Sequence, residues 1–281
     1  MKSGINYWSF PKESNGDSPD LVEAMWEARN LGYECFEFTV EQEGLVSLRM
    51  TAEEAENLKA QAAEIGLEIP TLASAIGWQV SPTDPNPKVR DQAVKNYEKV
   101  LHIASWLGVD TVLYIPGMVS SPFAPDFEPQ SYDVVDSRAK KSLEKLIPTA
   151  EKLKIRIGVE NVWNRYLLSP LEMRDFIDFF DSPWVGCYFD VGNVMLYGHP
   201  EHWISILGKR IFAVHLKDFK TDVGNASGFV DLLQGDVNYP AVMKALKENG
   251  YQGPLTVEVP PKHPYILERS IRAIEKIQEM D

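Results

Sequence analysis

Eight times along the chain a short apolar run is followed by a longer segment of helical periodicity, and that alternation restricts the fold more than any other feature. The runs are GINYWSF, CFEFTV, LEIPTLASA, TVLYIPG, IRIGVEN, WVGCYFDVGN, IFAVHLKDF and LTVEV. Helical stretches follow each of them or the loop behind it, from SPDLVEAMWEARNLG to the closing YILERSIRAIEKIQEM. TAEEAENLKAQAAEIG opens on a Thr-x-x-Glu capping signature and ends on Gly66, and VDSRAKKSLEKLIPTAEKL reads as one helix behind the fourth run. Crossovers of that length return the chain to the same end of a sheet, so the strands are predicted parallel. A count of eight predicts an α/β fold in the form of one closed (β/α)8 barrel over residues 1–281. An open doubly wound sheet is the alternative. It loses support because no Gly-x-Gly-x-x-Gly follows the first run and no Gly-Lys-Ser/Thr loop occurs. VSPTDPNPK and SSPFAPDFEPQ follow the third and fourth strands, at the end where barrels build their sites. They read as active-site loops or as surface spacers.

Charge narrows the partners. Against 28 basic residues stand 41 acidic ones, a net charge of −13. Nucleic-acid binding rests largely on neutralising phosphates, so no nucleic-acid partner is expected. A small phosphorylated substrate needs only one or two local cations and stays open. MKSGINYWSF lacks the apolar run of a signal peptide, and no window approaches the roughly 18 apolar residues of a membrane span. No membrane partner and a cytoplasmic location are therefore expected. Cys35 and Cys187 lie in apolar runs without metal-ligand spacing and are expected as buried free thiols. Assembly into a homo-oligomer is left open.

The last four strands share an ending. They read IGVE to Glu160, CYFD to Asp190, FAVH to His215 and LTVE to Glu258. Each puts one metal-competent side chain at the C-terminal end of an apolar run, where barrel enzymes carry their catalytic groups. Alternate residues of a strand share a face, so Gly158, Tyr188, Ala213 and Thr256 would lie just beneath. Three of those four are small, which leaves room for inward carboxylates and an imidazole. Taken singly, each is ordinary strand-end turn or ion-pair chemistry. Together, three carboxylates and one imidazole suit one divalent cation: Mn²⁺, Mg²⁺, Co²⁺ or Zn²⁺. Buried without it, the carboxylates would repel one another.

Glu160-Asn161, Asp190-Val191-Gly192-Asn193, His215-Leu216-Lys217-Asp218 and Thr256-Val257-Glu258-Val259 resemble the motifs of the xylose isomerase-like TIM barrel superfamily. They are most similar to its sugar-phosphate isomerases and epimerases, including pentulose-phosphate and ketose 3-epimerases. LGYECFEF and LLQGDVNYPAVMKALKENGYQGPLTVEV extend the likeness over essentially the whole chain. The resemblance implies a metal held by Glu160, Asp190, His215 and Glu258, and a ketose or ketose phosphate chelated by that metal. It implies proton transfer beside the carbonyl through an enediolate, with Glu160 and Glu258 as the catalytic pair on opposite faces. Return of the proton to the opposite face inverts a carbon, whereas same-face return between neighbouring carbons isomerises.

Four further residues are candidates for substrate binding. Asn193 stands where the family's free-ketose 3-epimerases have a histidine, which resembles the pentulose-phosphate enzymes instead. Lys217 would meet a charged substrate group or simply be an exposed strand-end charge. Glu37 would bind a sugar hydroxyl or orient a ligand. Trp8 would wall the sugar or belong to the core. Inosose dehydration and hydroxypyruvate isomerisation are the alternative reactions on the same metal. A non-catalytic sugar-binding relative is the alternative outside enzymes, disfavoured because recognition alone does not require paired acid–base carboxylates.

Overall fold

The computed structural model describes residues 1–14 and 16–280. Its strands are β1 (Ser3–Asn6), β2 (Cys35–Val40), β3 (Thr71–Ser74), β4 (Thr111–Tyr114), β5 (Arg156–Glu160), β6 (Val185–Asp190), β7 (Ile211–Leu216), β8 (Asp218–Phe219), β9 (Phe229–Val230) and β10 (Leu255–Val257). Eight of them close into a barrel in the order β1-β10-β7-β6-β5-β4-β3-β2, every pairing parallel. The remaining two, β8 and β9, pair antiparallel as a small ribbon above β7. This is the expected α/β architecture, a (β/α)8 TIM barrel.

The crossover helices are α1 (Leu21–Leu31), α2 (Ala52–Ile65), α3 (Ile76–Gln79), α4 (Pro87–Leu107), α5 (Tyr132–Glu144), α6 (Ile147–Leu153), α7 (Pro170–Asp178), α8 (Pro200–Leu207), α9 (Tyr239–Glu248) and α10 (Ile266–Gln278). Local chemistry sets their ends. Thr51 and Glu54 form the reciprocal capping box at the start of α2, and Gly66 takes the left-handed conformation that stops it. The α10 stripe of Ile266, Ile271, Ile274 and Ile277 is buried against the barrel. Each such side chain contributes about 1.5–3 kcal/mol relative to exposure.

Three local readings change. The stretch VDSRAKKSLEKLIPTAEKL forms two helices, α5 and α6, because Pro148 has no N–H to continue the ladder and its ring crowds the preceding turn. The first strand stops at Asn6, whose side chain accepts from the Trp8 N–H at 2.7 Å and turns the chain into a 3₁₀ segment. Trp8 therefore sits on a turn above the barrel, not in a strand. The last strand ends at Val257, and Glu258 follows it with its N–H still donating to the Leu216 carbonyl at 3.1 Å.

Inside the barrel, Tyr188 packs with Ala73, Leu113, Ile115, Val162 and Ala213 in one cluster. Register explains how the strand ends meet. Glu160 pairs opposite Tyr188, two residues short of Asp190. Asp190 pairs opposite His215, and His215 opposite Thr256, two residues short of Glu258. The pairing thus climbs about one residue per strand, the stagger that tilted strands impose on a closed barrel. Positions offset along the ladders consequently lie at one height across the axis.

Candidate active site

Glu160, Asp190, His215 and Glu258 converge at the C-terminal mouth of the barrel, and one ligand atom from each lies within 4.8 Å of all the others. Asp190 and His215 are fully buried, Glu160 is nearly so, and Glu258 is half-buried. Asp190 ends its strand in a fixed orientation. Its backbone N–H donates to Asn161 Oδ1 at 2.8 Å, and Asn161 Nδ2 donates to its carbonyl at 2.7 Å. Its Oδ1 accepts from the Asn193 N–H at 2.8 Å, which is the turn chemistry of an Asp before a glycine. That leaves Oδ2 aimed inward. Gly192 is required at the bend, since a Cβ there would lie 2.6 Å from Lys217 Cβ.

His215 is held from both sides. Nε2 lies 2.6 Å from Glu37 Oε2, and Nδ1 lies 2.7 Å from Glu258 Oε2. Glu37 also accepts from the Tyr188 hydroxyl and from Asn6 Nδ2. A carboxylate behind the imidazole takes the Nε2–H and turns Nδ1 toward the cluster. Three buried atoms, Asp190 Oδ2, His215 Nδ1 and Glu258 Oε2, lie in ion pairs with one another or with Lys217, at 2.7–3.0 Å. They belong to the same four residues whose donor atoms converge, so the set fits one divalent cation by position as well as by chemistry.

Electrostatics separates the two glutamates. Burial, reinforced by the Glu258 charge, pushes the Glu160 carboxyl up to about 8. Burial would raise Glu258 too, but Lys217 and His215 beside it hold it well below the usual carboxylate range. Lys217 Nζ lies 3.0 Å from Asp190 Oδ2 and 2.9 Å from Glu258 Oε2. Burial opposes its charge, and those carboxylates more than offset it, keeping the ammonium protonated. Burial likewise opposes a charged His215, and Glu37 and Glu258 override it, so its pKa is raised.

Five of the eight singled-out residues line one cavity of about 460 Å³, and Asp190, His215 and Glu37 lie outside its wall. Glu160, Glu258, Asn193, Lys217 and Trp8 line it. Asn193 Nδ2 points to Glu160 Oε1 at 3.5 Å and donates to the Asn161 carbonyl at 3.1 Å. Trp8 is anchored by its Nε1–H on Glu41 Oε1 at 2.6 Å. Glu37 lies beneath the imidazole, 1% exposed and outside the cavity wall, in the place of a residue that orients a ligand. Sequence reasoning missed Trp78 on α3, Phe123 in the loop behind β4 and Phe229 at the start of β9, which add aromatic rings to the wall. Aromatic residues in the segments that follow strand ends were the available signal. It also missed that Asn161 clamps Asp190, although Asn161 stands next to Glu160.

A closed parallel barrel carrying a buried carboxylate–histidine cluster at the C-terminal ends of its strands defines a class of (β/α)8 site. The chain belongs to the xylose isomerase-like TIM barrel family, whose model matches residues 26–277. Among curated proteins it is similar to the L-ribulose-5-phosphate 3-epimerase UlaE of Salmonella heidelberg (strain SL476). The two are 23% identical over 235 residues, 83% of this chain and 79% of that protein. Among solved structures it is similar to a D-tagatose 3-epimerase-like protein, with TM-score 0.77, 21% identity and 99% of each chain covered. It is also similar to an IOLI protein with a bound zinc atom, with TM-score 0.78, 16% identity, and 99% and 98% covered. At these identities the solved structures establish the shared fold.

Proposed function

We propose that the protein is a metal-dependent sugar isomerase or epimerase that moves a proton at the carbon beside a ketose carbonyl. The observation that carries this reading is the pair Glu160 and Glu258, both lining one cavity and both joined to a cluster that fits a divalent cation. Relatives named as 3-epimerases support the reaction type. A divalent cation held by Glu160, Asp190, His215 and Glu258 supplies Lewis acidity to the substrate carbonyl, which acidifies the neighbouring C–H.

The chain's own residues do the rest. Glu258, held ionised by Lys217 and His215, is the carboxylate that accepts a proton at neutral pH. Glu160, the second carboxyl of the pair, is the partner that delivers one. Lys217 steadies Glu258 and Asp190, Asn193 steadies Glu160, and Glu37 holds the His215 ring. The apolar walls exclude water from the reacting carbons.

Incubating the metal-loaded protein with a panel of ketoses in deuterium oxide tests this directly. Deuterium should enter the carbon next to the carbonyl of at least one sugar, and no exchange in any would overturn the reading. Replacing one glutamate by Gln, in Glu160→Gln and Glu258→Gln separately, should lower net turnover about 10²–10⁴-fold, the usual contribution of a positioned acid or base. Some metal should remain in each variant, because the amide oxygen still coordinates. Exchange at one face should outlast net conversion.

A further inference from the structure

The charged cluster occupies one end of the inner cavity, and most of the remaining wall is apolar. Trp8, Trp78, Leu113, Phe123, Phe229 and Val259 form much of it. Phe123 is 51% exposed although it sits at the mouth of a buried site. Its ring meets Trp78 edge-on at 5.7 Å and stacks on Trp163 at 6.4 Å, tilted by 25°. Beyond that pair lies a second cavity of about 610 Å³, walled by Trp163, Pro125, Phe127, Tyr197 and Arg165. Ala226 lines both cavities, so the two adjoin around the Phe123–Trp163 stack.

Size and charge both indicate what would fill them. At about 30 Å³ per water, the inner cavity alone has room for on the order of fifteen waters. A hexose, whose bonded atoms pack more tightly than liquid water, fills only part of it. Nothing in the inner cavity offers surplus positive charge. The ammonium of Lys217 and a divalent cation together only cancel Glu160, Asp190 and Glu258. The loop that carries Phe123 also brings Asp126 and Glu128, while Arg165 is exposed and its charge is solvated. A phosphate dianion would find no unspent buried cation. The C–H faces of a neutral sugar ring, by contrast, pack well on aromatic planes, with hydroxyls left to water and the occasional polar group.

We propose that the two cavities form one extended carbohydrate site. The reacting ketose lies over the carboxylate–histidine cluster, and a second neutral sugar ring, joined to its far end, lies against Phe123 and Trp163. This rests on the proton-transfer reading for the inner half only. The probes are D-fructose, its 6-phosphate and isomaltulose, a fructose bearing a glucosyl unit on its far hydroxyl. Isomaltulose should be turned over with a kcat/KM roughly tenfold above that of fructose, the scale of one or two aromatic contacts. The phosphate should fall below both. In Phe123→Ala the ratio of isomaltulose to fructose kcat/KM should collapse toward one. Isomaltulose at or below fructose, or the phosphate ahead of either, would overturn the proposal. Tryptophan fluorescence titration with the same sugars reads the second subsite even if no ketose reacts. Tighter binding of isomaltulose that Phe123→Ala abolishes would then support the subsite while the reaction reading fails, and equal affinities would overturn it.

Discussion

Asp190 does at one residue what sequence patterns usually assign to two. Its Oδ1 closes the turn onto the Asn193 N–H, and its Oδ2 faces Lys217 in the cluster. Removing it should therefore lose more than a ligand. Asp190→Ala and His215→Ala should each lose the roughly one divalent ion per chain expected of the parent, measured by elemental analysis after gel filtration. Stoichiometric metal in the double variant would refute the ligand set. Glu160 sets the pH dependence. Its carboxyl is raised to about 8, by burial first and by the Glu258 charge second, so below that pH it carries a proton that a cation must displace. Metal affinity should accordingly rise as pH rises through about 8. Binding near pH 6.5 should release protons, detectable by calorimetry in buffers of different ionisation enthalpy.

Between the seventh and eighth barrel strands, the element that shapes the mouth is the loop carrying β8 and β9. Asp218 ties it down. Its Oδ1 accepts from the N–H groups of Phe219 and Val237 at 2.9 and 3.2 Å, and its Oδ2 from Gly235 at 3.0 Å. Gly235 approaches so closely that a Cβ would lie 2.2 Å from Asp218 Oδ1. Asp218→Ala strands three backbone donors, each costing about 1–3 kcal/mol if left unpaired. The melting temperature should drop, and Phe229, carried by that loop, should lose its place on the cavity wall. Limited proteolysis within 220–236 is the measurement that reports the loosening. The barrel itself was legible because strand and helix periodicities alternate eight times, and the cluster because four polar residues end four apolar runs. Trp78, Phe123 and Phe229 were not legible. The segments that carry them are too short to show a period, and which aromatic ring turns inward depends on contacts between segments far apart in the chain. Lys217 was legible as a candidate, but its pairing with Asp190 and Glu258 depends on how adjacent strands stagger.

Across the whole molecule, the pairing of β1 with β10 joins the earliest strand to the latest. During synthesis the ribosome releases β1 some 250 residues before its partner. Until then the barrel has two open edges, and Glu258, just past β10, has not yet joined Glu160, Asp190 and His215. A nascent chain halted before residue 250 should bind the divalent cation weakly and be digested readily, and one extended past α10 should resist. Pulse proteolysis of stalled chains, with and without metal, would show the step. The ion would then act late, as a seal on a finished chain: a protein still being made could not capture its metal, and cleavage that removed the last strand would release it.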